Sequence, residues 1–234
     1  MKKGELKRSS ILKAAEMLFF ERGYDRTSVQ DILDALSLSK GGFYHHFPSK
    51  EAVLEEICVN RISARLDRLG MDLFAGRPRP IDRLNLLLRA VNILERDDAP
   101  FVAMMLKVCY IDRDVRIRDH IRSLLLAQLS PRMEDVLRAG IESGDFFIRH
   151  PGQMGWMVLN LANDASDEAC RLLAEGADNP ECVIGIADLL NAARDAIETL
   201  LGAPFGSVVL FDPDRLVSGY RAAAAELARM EAKN

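Results

Sequence analysis

Residues 27–50, TSVQDILDALSLSKGGFYHHFPSK, constrain the fold more than any other stretch, because two helical registers lie either side of a break only long enough for a tight turn. Thr27 and Gln30 fit the S/T-x-x-E/Q pattern, in which two side chains reciprocally satisfy free backbone N–H groups, so a helix is predicted to start at Thr27. Val29, Ile32, Leu33 and Leu36 then recur at i, i+3, i+4 and i+7, one apolar stripe. Leu38 continues the buried side across the turn, and Ser39 caps a second helix. Phe43 and Phe47, four apart, point inward together, which turns Lys40, Gly41, Tyr44 and His45 toward solvent. Pro48 ends this helix, since the residue before a proline is pushed out of the α region.

The exposed edge carries a charge signal. Ser49 is a good N-cap, yet Lys50 follows it at the positive end of a helix dipole, where a cation is slightly unfavourable unless a phosphate sits there. Taken alone, Lys50 reads as a solvated lysine. With Tyr44, His45 and His46 on the preceding turn, each able to donate to a phosphate oxygen, the arrangement reads as a surface for DNA. Charge is distributed to match: residues 1–50 hold nine Lys/Arg against six Asp/Glu, a balance of +3, leaving −7 on the remainder of a chain whose total is −4. Positive charge is concentrated where a polyanion would lie, although the overall pI of 5.7 is acidic.

A chain of 234 residues suits two domains. We expect a helix-turn-helix DNA-binding domain at 1–50 and a helical ligand-binding and dimerisation domain at 51–234. The four cysteines (58, 109, 170, 182) lack a C-x-x-C pair and sit in apolar or helical surroundings, so they are expected as small buried hydrophobes in a reducing cytoplasm. No apolar run approaches the ~18 residues of a membrane span, and neither a cofactor nor a metal site is expected.

Ile11, Ala14, Ala15, Leu18 and Phe19 form a supporting helix that ends at Gly23, and Phe43 and Phe47 are expected to dock on Leu18 and Phe19. A long helix from Ser49 ties this head to the body, and GRPRP at 76–80 is a loop. Further helices are expected from Ile81 to near Asp98, from Pro100, around the charged stretch 112–120, to Gly144 and to Gly176. Pro131 either kinks its helix or opens a new one capped by Ser130. In the helix before Gly176, Met154, Val158, Leu161, Ala165, Ala169 and Leu172 share one side, with Trp156, Asn160, Asn163 and Asp167 on the other. Asn179 and Pro180 open a helix closing at Gly202. APFGSVVLF is a loop packed on the body, and Asp212 and Pro213 begin a last helix. The fold class is all-α, with about nine or ten helices.

The motifs T-S-V-x-D-I-x-x-A, S-K-G-x-F-Y-H-H-F and P-S-K-E, within residues 8–58, resemble the DNA-binding domain of the TetR family of bacterial transcription regulators. The resemblance implies a homodimer on double-stranded operator DNA, a ligand pocket in each helical body, and repression relieved by a small-molecule effector. Residue by residue it implies phosphate contacts from Thr27, Ser28, Tyr44, His45, His46 and Lys50. Gln30, Lys40, Gly41 and Gly42 match positions that face bases, and Ser39 completes the DNA-binding set. Two departures stand out. Ser37 occupies a turn position where glycine is common, and Gly42 replaces a small hydroxyl residue or alanine, which with Gly41 weakens the second helix by about 2 kcal/mol in propensity.

The helices at 180–202 and 213–230 are the expected dimer faces, pairing as a four-helix bundle. Met104, Met105, Leu125, Trp156 and Met157 are candidate pocket walls, with Asn160 or Asn163 orienting a polar ligand group; the plainer reading makes the methionines core filler. No catalytic residue is expected: His120 and His150 stand alone near helix ends, and no nucleophile, base and metal ligands converge. The alternatives to a repressor are an activator of the same family and a helical adaptor whose head binds protein.

Overall fold

The computed structural model describes residues 3–74, 78–91, 98–111, 115–176, 179 and 181–232, and among them every regular element is a helix. In chain order these are α1 (Lys3–Arg22), α2 (Val29–Leu36), α3 (Lys40–Tyr44), α4 (Lys50–Phe74), α5 (Pro80–Val91) and α6 (Ala99–Leu106). A π-helical turn, Lys107–Ile111, continues α6; α7 (Val115–Ser143), α8 (Pro151–Glu175), α9 (Glu181–Leu201) and α10 (Pro213–Ala232) follow. The expected helix end near Asp98, part of the GRPRP break, the start of the 112–120 stretch, and Pro180 lie outside the described residues.

α1 ends at Gly23, whose φ of +88° is the left-handed conformation that glycine adopts without strain. The next start corrects the sequence reading by one residue. Ser28, not Thr27, is the N-cap of α2: its hydroxyl accepts from the Asp31 N–H, and the Asp31 carboxylate accepts from the Ser28 N–H at 2.7 Å, a complete capping box. Thr27 instead points into the core, its hydroxyl donating to the Gly23 carbonyl at 2.8 Å and reaching Leu18 O at 3.3 Å. α2 closes on Ser37 with φ 51° and ψ 42°, so a serine does hold the left-handed position, at a cost of roughly 1–2 kcal/mol relative to a right-handed residue. Ser39 caps α3 by accepting from the Gly42 N–H at 3.2 Å.

One continuous apolar core joins the amino-terminal helices to the rest, from Ile11 and Phe19 through Leu54 and Phe101 to Leu201 and Leu227. Phe43 and Phe47 are fully buried in it together with Leu18 and Phe19. α4 carries the chain from α3 into the larger bundle and packs on α1, α5 and α7. α7 runs unbroken through Pro131, whose neighbours cover nearby carbonyls: Ser130 Oγ donates to Leu126 O at 2.6 Å and Arg132 to Gln128 O at 2.7 Å. Between α9 and α10, residues 203–212 form the expected loop. Val208 and Leu210 are buried, Asn85 bonds both Ser207 O and the Val209 N–H at 2.9 Å, and Glu198 accepts from the Val208 N–H at 2.9 Å. α10 lies on α6 and α9, with Ala223 and Leu227 buried.

Candidate nucleic-acid interface and body cavity

Two buried phenylalanines fix how α3 faces the outside. With Phe43 and Phe47 turned into the core, Tyr44 is left 54% exposed, its ring edge-on to Phe43 at 5.4 Å between centroids. Ser39, Lys40, Gly41 and His45 are exposed beside it, while Gly42 and His46 are half-buried. A Cβ added at Gly41 would meet no atom within 4 Å, so that point of the helix is open to an incoming surface. The Ser39 oxygen is engaged as cap acceptor, which leaves its O–H proton available to a phosphate. Gln30 is exposed on α2 and donates to Asp34 at 2.7 Å.

The remaining expected contacts are placed differently. Thr27 has no exposed surface, so its side chain is not available to a phosphate. Ser28 is exposed, but its hydroxyl donates to Asp31 Oδ2 at 2.5 Å, and that carboxylate caps the helix start that a phosphate would otherwise occupy. The Asp31 carboxyl is held below its ordinary pKa chiefly by the Ser28 hydroxyl and N–H, then by Arg22 at 3.3 Å. Lys50 is tethered: its ammonium donates to Tyr24 O at 2.8 Å and lies 4.1 Å from the centre of the Tyr24 ring. Burial lowers its pKa, opposed by Asp25 and Glu51. Arg8 clamps the end of α3, donating to His46 O at 3.2 Å, stacking over Phe47 at 4.5 Å, and pairing with Glu56 of α4.

Lys7 is a basic residue that the motif reading passed over. A Cβ at Gly42 would lie 3.8 Å from its ammonium, so α1 brings an exposed lysine beside α3. Only a contact between helices distant in sequence reveals it.

In the body, a cavity of about 50 Å³ opens between α5, the π-helical turn, α7 and α8. Of the expected pocket residues, Met105 and Leu125 line it, and so does Asn163. The others are placed elsewhere. Met104 is buried outside the cavity wall, Trp156 and Met157 are 55% and 49% exposed on the outer side of α8, and Asn160 accepts from Arg122 at 2.8 Å while its amide bonds Trp156 O. The error is one of helical phase. α8 buries Gly155, Leu159, Ala162, Asn163, Ser166 and Cys170 besides Val158, Ala165 and Ala169, so its inner face is rotated to include Asn163. Tyr110 and Asp167, also in the wall, share a hydrogen bond of 2.6 Å; burial pushes both groups up in pKa, against Arg118 and Arg122 at Asp167.

Two contacts connect this region to the α1–α3 unit. Arg61 of α4 pairs with both Glu16 of α1 and Asp98, the N-cap of α6, and stacks over Phe101 at 4.8 Å. Lys107, on the π-helical turn, lies 3.6 Å from Asp25.

Residues 11–57, spanning this helix-turn-helix, match the model of the bacterial regulatory proteins of the tetR family. The HTH-type transcriptional repressor KstR2 of Rhodococcus jostii is 33% identical over 150 residues, covering 60% of this chain and 68% of that one. The chain belongs to the TetR family. The HTH-type regulator YuxN of Bacillus subtilis is 38% identical over 102 residues, which cover 43% of this chain and 34% of that protein. The fold extends beyond the motif: the solved structure of RolR in complex with resorcinol superposes with a TM-score of 0.56 at 19% identity, covering 94% of each chain. This TetR-family protein is a DNA-binding transcriptional regulator, all-α, with its helix-turn-helix at the amino-terminal end. No described helix is long and apolar enough to cross a membrane.

Proposed function

We propose that this regulator is a dimeric repressor whose operator complex is released when a small molecule enters the body. The observation that carries the DNA-binding part is the exposed edge of α3 above buried Phe43 and Phe47. Lys40 donates to guanine O6 and N7, Gln30 reads adenine, and the open backbone at Gly41 admits close approach to the groove. Tyr44, His45, Ser39 and Lys7 hold phosphates, with Arg8 bracing the end of α3 and Lys50 tying α4 to Tyr24. The boundary between head and body falls at residue 50, where α4 starts.

The dimer faces are assigned to α8 and α9 rather than to α9 and α10. Trp156 and Met157 on α8 and Ile184 and Leu200 on α9 are large exposed apolar residues, whereas α10 buries Ala223 and Leu227 on its own body. Two heads then meet successive major grooves about 34 Å apart. Effector release is supported by the cavity, by RolR having been solved with resorcinol, and by Arg61 and Lys107, which connect the cavity-lining segment to α1 and to the loop before α2. Repression is supported by KstR2 being a repressor.

The test is selection of bound fragments from genomic DNA, followed by titration of the recovered duplex at several salt concentrations. Binding that falls steeply with salt, and that Lys40→Ala makes less sequence-selective by about 1–3 kcal/mol, is expected. Equal affinity for every duplex, or no loss from Lys40→Ala and Tyr44→Ala together, overturns the assignment.

A further inference from the structure

The cavity wall contains a group that the fold leaves unfilled. Asn163 is 5% exposed, and its amide nitrogen Nδ2 has no hydrogen-bond partner among the described residues. A buried donor without an acceptor costs about 1–3 kcal/mol, so the site is either filled by a guest or destabilised. At the same cavity, two arginines are engaged unequally. Arg122 is bound by Asp164 at 2.7 Å and Asn160 at 2.8 Å, whereas Arg118 has, among the described residues, one ion pair, with Asp119 at 4.0 Å. Val91, Met105, Cys109, Ile121 and Leu125 supply an apolar side, and Tyr110, Ser166 and Asp167 complete the wall.

We propose that this cavity binds a short-chain apolar monocarboxylate, with one carboxylate oxygen on Asn163 Nδ2, the other facing the Arg118 guanidinium, and the hydrocarbon against Met105, Ile121 and Leu125. The class follows from three features. An amide N–H requires an acceptor, an incompletely paired guanidinium favours an anion, and the apolar wall rewards a hydrocarbon. Size limits the chain: about 50 Å³ holds a few heavy atoms and is far below the roughly 300 Å³ of a drug-sized site. Asp167 faces the same cavity, where burial raises its pKa against the hydrogen bond from Tyr110 and the charges of Arg118 and Arg122, so it opposes an anionic guest less than an exposed aspartate would. This inference rests on reading the body cavity as the effector site.

The experiment uses the full chain without DNA, titrated by calorimetry with isovalerate, isovaleramide and isopentylamine. Isovalerate is expected to bind about tenfold or more tightly than either analogue. Asn163→Leu abolishes isovalerate binding without lowering the Tm, because it removes an unpaired donor, and Arg118→Gln lowers affinity for the acid while leaving the amide unchanged. Preference for the amine would make Asp167 the recognising group and overturn the proposal. So would equal binding of acid and amide, or saturation by none of the three, with water the only occupant. Operator binding is measured separately on the same variants. Failure of the acid with DNA binding intact removes the ligand assignment alone, whereas acid binding without any DNA binding removes the regulator's repression reading.

Discussion

Thr27 and Asn163 are both buried polar residues, yet the hydroxyl of the first finds two carbonyls while the amide nitrogen of the second has no partner among the described residues. The amino-terminal unit has its polar groups closed upon themselves, through the Ser28–Asp31 box, the Ser39 cap and the Lys50–Tyr24 bond. On the α8 wall Asp167 and Ser166 are bonded and the Asn163 amide nitrogen is left over. A surface that meets DNA by shape needs a rigid support whose internal bonds are complete. A cavity proposed to receive a guest needs bonding capacity left over, at a cost in stability.

Four substitutions test this contrast. Phe43→Ala removes the fully buried ring beneath α3 and is expected to cost about 3–5 kcal/mol, read as a fall in urea midpoint with loss of duplex binding. Retained affinity would mean that α3 is not held from below. Gly140→Ala examines the body far from the cavity: a Cβ there would come within 2.0 Å of the buried Phe146 ring, so about 1–3 kcal/mol should be lost, and an unchanged midpoint would show that this end of α7 is loose. Thr27→Val keeps shape and deletes the donor, for a loss of about 1–2 kcal/mol by thermal or urea unfolding. Were it as harmless as Asn163→Leu, the distinction between filled and unfilled polar groups would fail.

The smallest effect is a pH dependence. Asp31 has a folded pKa below its unfolded value of about 3.9, so its cap contributes stability that is present above that value and is lost as pH falls through the lower folded one. Asp31→Asn should therefore flatten the acid side of the Tm profile and lower the Tm slightly at neutral pH. A profile unchanged from the parent's would show the box to be inert.

Local rules recovered most of the amino-terminal unit, because its helices are short and punctuated by Gly23, Ser39 or Ser49, although α3 already ends at Tyr44, short of the expected stop at Pro48. Phe43, Phe47 and the exposed Tyr44 followed from helical spacing alone, and the loop at 203–212 followed from strand-like residues with no partner strand. The one-residue slip at Thr27 arose because TSVQD offers two overlapping capping frames, Thr27 with Gln30 and Ser28 with Asp31; burial of the threonine decides between them. In α8 the phase was misjudged for a different reason. Hydrophobicity puts Asn163 on the outer face with Trp156, and the helix buries the asparagine while leaving the tryptophan, a candidate pocket wall, exposed. Lys7 beside Gly42 and Arg61 between Glu16 and Asp98 depend on tertiary packing, which no local pattern encodes.

Gly41 has empty space where its side chain would be, on the exposed edge of α3 proposed to face the groove. On that reading a lineage can install serine, glutamine or arginine there without repacking anything beneath it, and alter promoter preference while the thermodynamic foundation stays intact. The adjoining Gly42, with Ser39 Oγ already 3.4 Å from the place of its missing methyl, has much less of that freedom.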